Sequence, residues 1–426
     1  MILKIDLEQK GRSREARFKN TPAIYLNYNL KILAKLMKVS SQTFQPLVGK
    51  TVIDLTQVLA GPYATYQLAL LGAEVLKIED PNGGDWTREG NAPDGLENQN
   101  MGTAYLTQNA NKKSIGLDLK SPRDIDKLKK LVENADVFVE NFRPGTAARL
   151  GLSYTNIKKI KPNIVYCSIS GFGQDGPISN RPAYDHIVQG MCGIMRLTGT
   201  NETEPNKVGA PYVDYATGLN GAFAIVSALH EVNRTGKSVK LDVAMLDTSL
   251  LLMSSLVTDH LNNGWIPEPS GNEAWSRSPS SGAFETRSDL LMIAANNERQ
   301  FERFCTAINR KDLLKDKKFQ HPTDRKKNKD ELRHLVEQII KTKTAEYWEE
   351  KLNEEGVPAT KVRKLDEILS EHQVEKRGIT HKLKIPGLRN SLHVPTLGFK
   401  VDDEIIAPKE APPRLGQDTD YIIEEK

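Results

Sequence analysis

The fold is decided by residues 51–79, TVIDLTQVLAGPYATYQLALLGAEVLKIE, in which two short apolar runs flank a helical pattern. TVIDL and AEVLKIE have the composition of buried strands, and the segment between them is typical of a helix. Similar apolar runs recur further on as KSIGLDL, DVFVENF and NIVYCSIS. The alternation predicts βαβ units, and therefore an α/β fold whose parallel sheet carries helices on both faces.

The clearest helix signal follows KSIGLDL, in the segment SPRDIDKLKKLVE that starts at Ser121. Ser121 is suited to cap the helix, Pro122 to occupy its first position, and Asp124 to complete a capping box. The residues expected to form its buried stripe are Ile125, Leu128, Leu131 and Val132.

The length of 426 residues exceeds what a single core usually absorbs, which predicts more than one domain. The composition turns rich in Gly, Pro and Ser at NGWIPEPSGNEAWSRSPSSG, residues 263–282, which reads as a linker or an active-site loop. The predicted parts are an N-terminal extension (1–46), the first part of a large domain (47–244), a linker helix (245–270), a small α+β domain (271–378), and a linker with a C-terminal return to the large domain (379–426).

The N-terminal extension differs from the rest of the chain in charge. Residues 1–46 hold nine Lys or Arg against three acids, and none of the acids falls after Glu15. A basic, amphipathic, Ser-ending segment of this kind is typical of a mitochondrial presequence. The sequence therefore predicts a mitochondrial location, with the cytoplasm as the alternative if the extension is disordered or is not part of the natural start.

Composition argues against several classes of protein. The net charge of +4 is spread among acidic neighbours, without the basic stripe and aromatics of a nucleic-acid groove. No apolar run reaches the roughly 18 residues that a membrane span requires. The three cysteines lie far apart, and no histidine pair has metal-binding spacing around an acid. We therefore expect no nucleic acid, no membrane span and no metal.

Two familiar functional motifs are not supported by the sequence. Gly171, Gly173 and Gly176 have the dinucleotide-binding spacing, but Pro177 and a loop follow where the motif needs a helix to open. The nucleophile elbow G-x-S-x-G does not occur in the chain, so a serine nucleophile has little support.

A carboxylate remains as the candidate for catalysis. Asp214, in GAPYVDYATG (209–218), stands just ahead of a run of small residues that reads as a buried helix. A plain N-cap is one interpretation. A nucleophile is the other, because a helix start holds the carboxylate in place and is expected to depress its pKa. Asp185 is similarly ambiguous: it is either the N-cap of the following helix or a wall of the site.

Blocks spread along the chain carry a resemblance to a known family. They are IDLTQVLAGP, LGAEVLKIE, GDWTR, NKKSIGLDLK, VENFRPG, YCSISGFGQDGP, AYDHIVQGMCGIMRLTG and VDYATG. In this order they resemble the class III CoA-transferase family, which includes formyl-CoA transferase, carnitine CoA-transferase and 2-methylacyl-CoA racemase. The likeness runs from about Leu47 to PPRLGQDTDYI near the C-terminus.

The resemblance implies a Rossmann-like large domain, a smaller α+β domain and an interlocked homodimer. It implies Asp214 as the nucleophile, a small carboxylic acid as acceptor, and acyl-CoA as a substrate rather than a permanently bound cofactor. The implied CoA-contacting residues are Val58, Leu59, Ala60, Leu117, Lys120, Asn141, Phe142, Arg143, Arg149, Arg181 and Tyr184.

One position bears on the reaction type. The racemases resemble one another in carrying a His-Asp pair where this chain has Tyr184-Asp185. A tyrosine, with a pKa of about 10, is a poor proton carrier at neutral pH, so CoA transfer is favoured over racemisation.

Among the transferases the chain most resembles the succinate–hydroxymethylglutarate (glutarate) group, which implies succinyl-CoA as donor and a dicarboxylate as acceptor. Three departures keep a catalytically degenerate CoA-binding protein as an alternative. Asp80 stands where relatives carry an Arg, the 271–284 loop lacks a Gly-x-x-His-Pro pattern, and we expect no terminal helix in LGQDTDYIIEEK.

Overall fold

The computed structural model describes residues 44–96, 99–274, 276–386, 388 and 391–425. Within them, six parallel strands form the main sheet, in the order β3-β2-β1-β4-β5-β6. The strands are β1 (Thr51–Asp54), β2 (Glu74–Glu79), β3 (Lys112–Gly116), β4 (Val137–Glu140), β5 (Val165–Ser170) and β6 (Val239–Ala244). This is the Rossmann order, so the α/β class and the Rossmann-like sheet predicted from the sequence are confirmed.

Helices cover both faces of this sheet. They are α1 (Ala60–Leu70), α2 (Thr103–Thr107), α3 (Pro122–Glu133), α4 (Thr146–Arg149), α5 (Tyr154–Ile160), α6 (Asp185–Cys192), α7 (Ile194–Leu197) and α8 (Tyr212–Thr235), followed after β6 by α9 (Met245–Leu252) and α10 (Ser254–Asn263); a 3-10 helix spans Trp86–Arg88. Alternate residues of each strand point to opposite faces, so two separate cores form. One core packs α1 and α8 against the sheet, and the other packs α3 and α5 against it.

Helix α3 shows how local sequence sets an element. It begins at Pro122, and the Ser121 hydroxyl accepts a hydrogen bond from the Asp124 N–H, as expected. The Asp124 carboxylate, however, accepts from the N–H of Asp118 at 3.2 Å and so stabilises the preceding turn rather than closing a capping box.

A smaller antiparallel sheet, in the order β7-β8-β9, has its own hydrophobic core. Its strands are β7 (Ser281–Glu285), β8 (Leu290–Ala294) and β9 (Ala359–Lys361). The helices of this region are α11 (Glu298–Ala307), α12 (Pro322–Lys327), α13 (Lys329–Ile340), α14 (Ala345–Glu354), α15 (Leu365–Ser370) and α16 (His372–Arg377), with a 3-10 helix at Lys311–Leu314. The mixture of helices and antiparallel strands is that of an α+β unit.

The C-terminal segment runs back to the edge of the main sheet. It contains β10 (Thr380–Leu383), β11 (Leu392–Pro395), β12 (Lys400–Val401), β13 (Glu404–Ile405) and α17 (Thr419–Glu425). Asp418 accepts a hydrogen bond from Ser114 of β3 at 2.9 Å, and Thr419 accepts one from Gly116 at 2.9 Å. The expectation that no terminal helix forms was wrong, because Ile422 of α17 is buried in the core beneath β3 and stabilises the helix by packing.

The predicted presequence lies almost entirely outside the described residues, since residues 1–43 are not among them.

Candidate active site

Asp214 lies in the first turn of α8, where Asp185 of α6 meets it. Helix α8 begins at Tyr212, after Pro211. The Asp185 carboxylate accepts the N–H of Val213 at 2.8 Å and the N–H of Asp214 at 3.2 Å through the same oxygen. Its other oxygen accepts the side-chain amide of Gln189 at 2.5 Å. Asp185 therefore caps α8 from a distant part of the chain.

Both sequence interpretations of a local cap need correction. Tyr184, not Asp185, occupies the N-cap position of α6, and Pro211, not Asp214, occupies that of α8. No hydrogen bond reaches the Asp214 carboxylate from any residue that the structure describes. The carboxylate is consequently not used in holding the helix start together.

The electrostatics of Asp214 also differ from expectation. Burial first, and then repulsion from the Asp185 carboxylate, raise the pKa of Asp214 to about 7. The sequence had predicted a depressed pKa because a helix N-terminus attracts negative charge. That prediction was wrong, because Asp185 accepts the free N–H groups and adds its own charge beside Asp214.

The turn that enters α1 lies next to this part of α8. A Cβ atom placed on Gly218 would lie 2.8 Å from the carbonyl oxygen of Ala60. Tyr63 and Tyr215 meet edge to face, with their ring centroids 4.8 Å apart. Because Asp214 and Gly218 are one helical turn apart on the same face, the structure brings the predicted nucleophile near the predicted CoA-binding turn.

Asn141 joins this turn to the end of β4. Its side chain accepts the N–H of Gln57 at 2.9 Å and donates to the Gln57 carbonyl at 2.7 Å. Strands β1 and β4 flank the point where the strand order reverses, and ligands of Rossmann-like folds bind there, beyond the carboxyl ends of the strands. The Phe142 side chain packs on the nearby core, while Arg143 is exposed.

Lys120 and Arg149 line a second part of the same sheet edge. They border a groove of about 320 Å³ together with Lys129, Asp126 and apolar side chains. Arg149 donates to the Thr146 hydroxyl at 2.7 Å. Leu117 precedes this groove, but its side chain is fully buried and its N–H donates to the Glu79 carbonyl, so only its own carbonyl is available to a ligand.

Arg181 and Tyr184 lie in the loop before α6 and are exposed. The Tyr184 ring lies parallel to that of His186, with centroids 6.2 Å apart. Asp80, where a cation was expected, accepts the backbone and side-chain N–H groups of Asn82, at 2.9 and 3.1 Å, and forms a local turn.

Several residues that shape the site were missed by sequence reasoning. They surround Val58, itself a predicted contact, which adopts a left-handed backbone with φ of +73°. Its N–H donates to Asp85, whose carboxylate pairs with Lys77 at 3.0 Å inside the protein. A lysine within the apolar run EVLKIE was an available signal, since a buried lysine requires a partner. Gln108, which donates to the Val58 carbonyl, gave no signal.

Among the described residues, no three His, Cys, Asp or Glu side chains are arranged to hold a metal ion. In the same part of the chain, none of the helices has the length and apolar character needed to cross a membrane.

The order of the sheet strands defines a Rossmann-like fold, in which ligands bind in a crevice at the carboxyl edge of the parallel sheet. Residues 47–419 match the model of CoA-transferase family III, and the chain therefore belongs to this family. It is a CoA-transferase.

The chain is similar to characterised relatives over most of its length. It is 35% identical over 383 residues to the succinyl-CoA:glutarate CoA-transferase of Mus musculus, covering 90% of this chain and 87% of that one. It is 35% identical over 362 residues to the succinate–glutarate CoA-transferase of Agrobacterium fabrum, covering 82% and 89%. The crystal structure of a CaiB/BaiF family protein from Brucella suis matches with a TM-score of 0.78 at 31% identity, covering 90% of this chain and all of that one.

Proposed function

We propose that this CoA-transferase moves CoA from succinyl-CoA to glutarate or a related dicarboxylate, and that Asp214 is its nucleophile. One observation carries the assignment of the nucleophile: the Asp214 carboxylate is partly buried beside the α1 turn, and no described residue donates a hydrogen bond to it. The names of the similar proteins from mouse and Agrobacterium support the choice of donor and acceptor.

The reaction follows from the chemistry of a carboxylate and a thioester. The ionised Asp214 attacks the thioester carbonyl carbon, the C–S bond breaks, and a mixed anhydride and CoA thiolate form. The thiolate then attacks the aspartyl carbonyl and releases succinate, which leaves an aspartyl-CoA thioester. The acceptor carboxylate attacks this thioester and reverses the two steps, so that acyl-CoA leaves and the Asp214 carboxylate is restored. Water takes no part, and it must be excluded from the anhydrides.

The raised pKa of Asp214 suits this role. Burial and Asp185 leave its anion poorly stabilised, which makes the ionised form a stronger nucleophile than a solvated carboxylate. With a pKa of about 7, about half of the molecules carry the reactive anion at neutral pH.

We assign the predicted CoA-contacting residues to parts of the acyl-CoA molecule. Lys120 and Arg149 border one groove and supply positive charge for the phosphates. Arg143 and Arg181 are exposed, and each lies close in sequence to another of the predicted site residues. The remaining contacts are assigned to the backbone and side chains of Val58, Leu59, Ala60, Leu117, Asn141, Phe142 and Tyr184.

We also propose that two copies of the chain form an interlocked homodimer, built from the domains outlined above. Large apolar side chains are exposed along α8, α9 and α10: Leu219 is 50% exposed, Phe223 73%, Leu251 64% and Leu261 75%. An apolar surface of this kind on consecutive helices is typical of a subunit interface. A mitochondrial location belongs to the same proposal and rests on the N-terminal charge pattern.

Covalent trapping tests the nucleophile. The protein is incubated with succinyl-CoA, quenched with hydroxylamine, and analysed by intact mass and peptide mapping. We expect a CoA-sized adduct that hydroxylamine converts to a hydroxamate at Asp214. The variant Asp214→Asn should form none. Asp247→Asn is the matched control, because Asp247 occupies the same third position of its helix, α9, and is exposed.

The alternatives give different results in the same preparation. A racemase would exchange the Cα proton of a 2-methylacyl-CoA for deuterium without any acceptor acid. A degenerate CoA-binding protein would bind CoA and form no adduct. Either result would refute the proposed transfer, and a series of acceptor acids tests the preference for glutarate.

A further inference from the structure

Val58 adopts an unusual backbone conformation at a critical place. It lies between β1 and α1 with φ of +73°, in the left-handed region that β-branched residues rarely occupy. Such strain persists only where the surrounding structure enforces it, and it concentrates at functional sites. The contacts of Val58 therefore need to be traced.

Buried side chains hold both polar groups of the Val58 backbone. Its N–H lies 3.2 Å from each carboxylate oxygen of Asp85, and its carbonyl accepts the side-chain amide of Gln108. Asp85 and Gln108 are both fully buried. We call these two side chains, together with the Lys77 that pairs with Asp85, the Val58 clamp.

Lys77 fixes the clamp to the sheet. From the middle of β2 its ammonium group donates to Asp85 at 3.0 Å and to the carbonyl of Thr56 at 2.7 Å. The Asp85 carboxylate also accepts the N–H of Thr87 at 3.0 Å. Lys77 therefore binds the strand side of the turn directly, and it binds Val58 through Asp85.

Stability alone does not account for this arrangement. Both charged side chains are fully removed from solvent, and a buried ion pair gives little net stability compared with apolar residues of similar size. What the pair specifies is geometry, because its partners include the backbone atoms of Thr56 and Val58 in one strained turn. The backbone N–H groups of Leu59, Ala60 and Gly61, which follow Val58, donate to no acceptor in the described part of the chain.

We propose that the Val58 clamp is a positioning device for acyl-CoA: Lys77, Asp85 and Gln108 hold the turn of Val58–Ala60 in its substrate-binding conformation without touching the substrate. The inference rests on the proposed function, since it assumes that this turn binds acyl-CoA. Without the clamp, Val58 relaxes to an ordinary backbone conformation, and only a minor fraction of molecules is competent to bind.

The test measures binding separately from chemistry. Lys77→Met/Asp85→Leu removes both charges and every polar contact of the pair. If about one molecule in ten keeps the competent turn, the KM for acyl-CoA rises about tenfold. The KM for the acceptor acid and the yield of trapped adduct at saturating acyl-CoA stay unchanged. The conservative control Lys77→Gln/Asp85→Asn removes both charges but keeps a donor at residue 77 and an acceptor at residue 85, and it should retain a KM within about threefold of the parent.

A rescue distinguishes positioning from a purely structural role. Glycine adopts the left-handed conformation freely, so adding Val58→Gly to the apolar variant should restore much of the lost affinity. Gln108→Met is a second test variant in case the apolar pair fails to fold, because it removes only the contact to the Val58 carbonyl. It should raise the KM for acyl-CoA, and Val58→Gly should again reverse the effect.

An unchanged KM in a folded clamp variant, or a raised KM that Val58→Gly does not lower, would overturn the proposal. Failure of the proposed function is seen independently, because the parent protein would then form no adduct at Asp214.

Discussion

Replacing Asp214 by Asn should stabilise the protein, although it should abolish the reaction. The fold raises the pKa of this carboxyl from 3.8 to about 7, so the charged form is disfavoured by about three pKa units. At about 1.4 kcal/mol per unit the penalty is about 4 kcal/mol at most, and solvent screening of a partly exposed group reduces it to about 2 kcal/mol. The neutral amide is nearly isosteric and avoids this penalty.

The sign of the pH dependence follows from the direction of the shift. An acid whose pKa is raised by folding destabilises the native state most above its folded pKa, here above about pH 7. The penalty shrinks as the pH falls and disappears below about pH 3, where the carboxyl is protonated in both states. The advantage of Asp214→Asn should therefore fall by about half between pH 8 and pH 5.5.

Urea unfolding at fixed protein concentration measures this difference, with parent and variant compared at both pH values. Asp247→Asn is the control, since Asp247 is an exposed first-turn residue of α9, and its effect should be within about 0.5 kcal/mol at either pH. If Asp214→Asn destabilised the protein, as the loss of a helix cap would, the reasoning about a strained carboxylate would be refuted. A stabilisation independent of pH would refute its electrostatic origin.

Three further outcomes follow from the same geometry. Lys120→Ala and Arg149→Ala should each raise the KM for acyl-CoA about fivefold to thirtyfold and leave that of the acceptor unchanged, whereas Lys130→Ala, at an exposed position of α3 outside the groove, should change neither; steady-state kinetics checks this. Gly218→Ala should cost about 1–3 kcal/mol of unfolding free energy, because its Cβ would meet a carbonyl oxygen at 2.8 Å, while Gly83→Ala has open space and should be neutral. The rate of acylation of Asp214, measured by rapid quench, should fall about tenfold per pH unit below the Asp214 pKa of about 7. A rate that does not change with pH would contradict the raised pKa.

Much of the fold was predictable because it depends on local patterns. Alternating apolar runs separated by helical segments define the strands of the main sheet, and a capping serine with a following proline marks the start of α3 at Pro122. The position of Asp214 at the start of a small-residue helix was equally visible. The small residues are explained by contact, since Gly218 and Gly221 let α8 approach α1 and β5 closely.

The charge state of the site was not predictable, because it arises from residues far apart in sequence. Asp185 lies 29 residues before Asp214, yet it accepts the N–H groups that a local argument assigns to Asp214. The strained turn is a similar case: a valine gives no local sign of a left-handed backbone, whereas a glycine would have. What the sequence did offer was Lys77, a charge within an otherwise apolar strand. A buried charge must have a partner, and tracing that partner leads through Asp85 to the backbone of the turn that we assign to acyl-CoA.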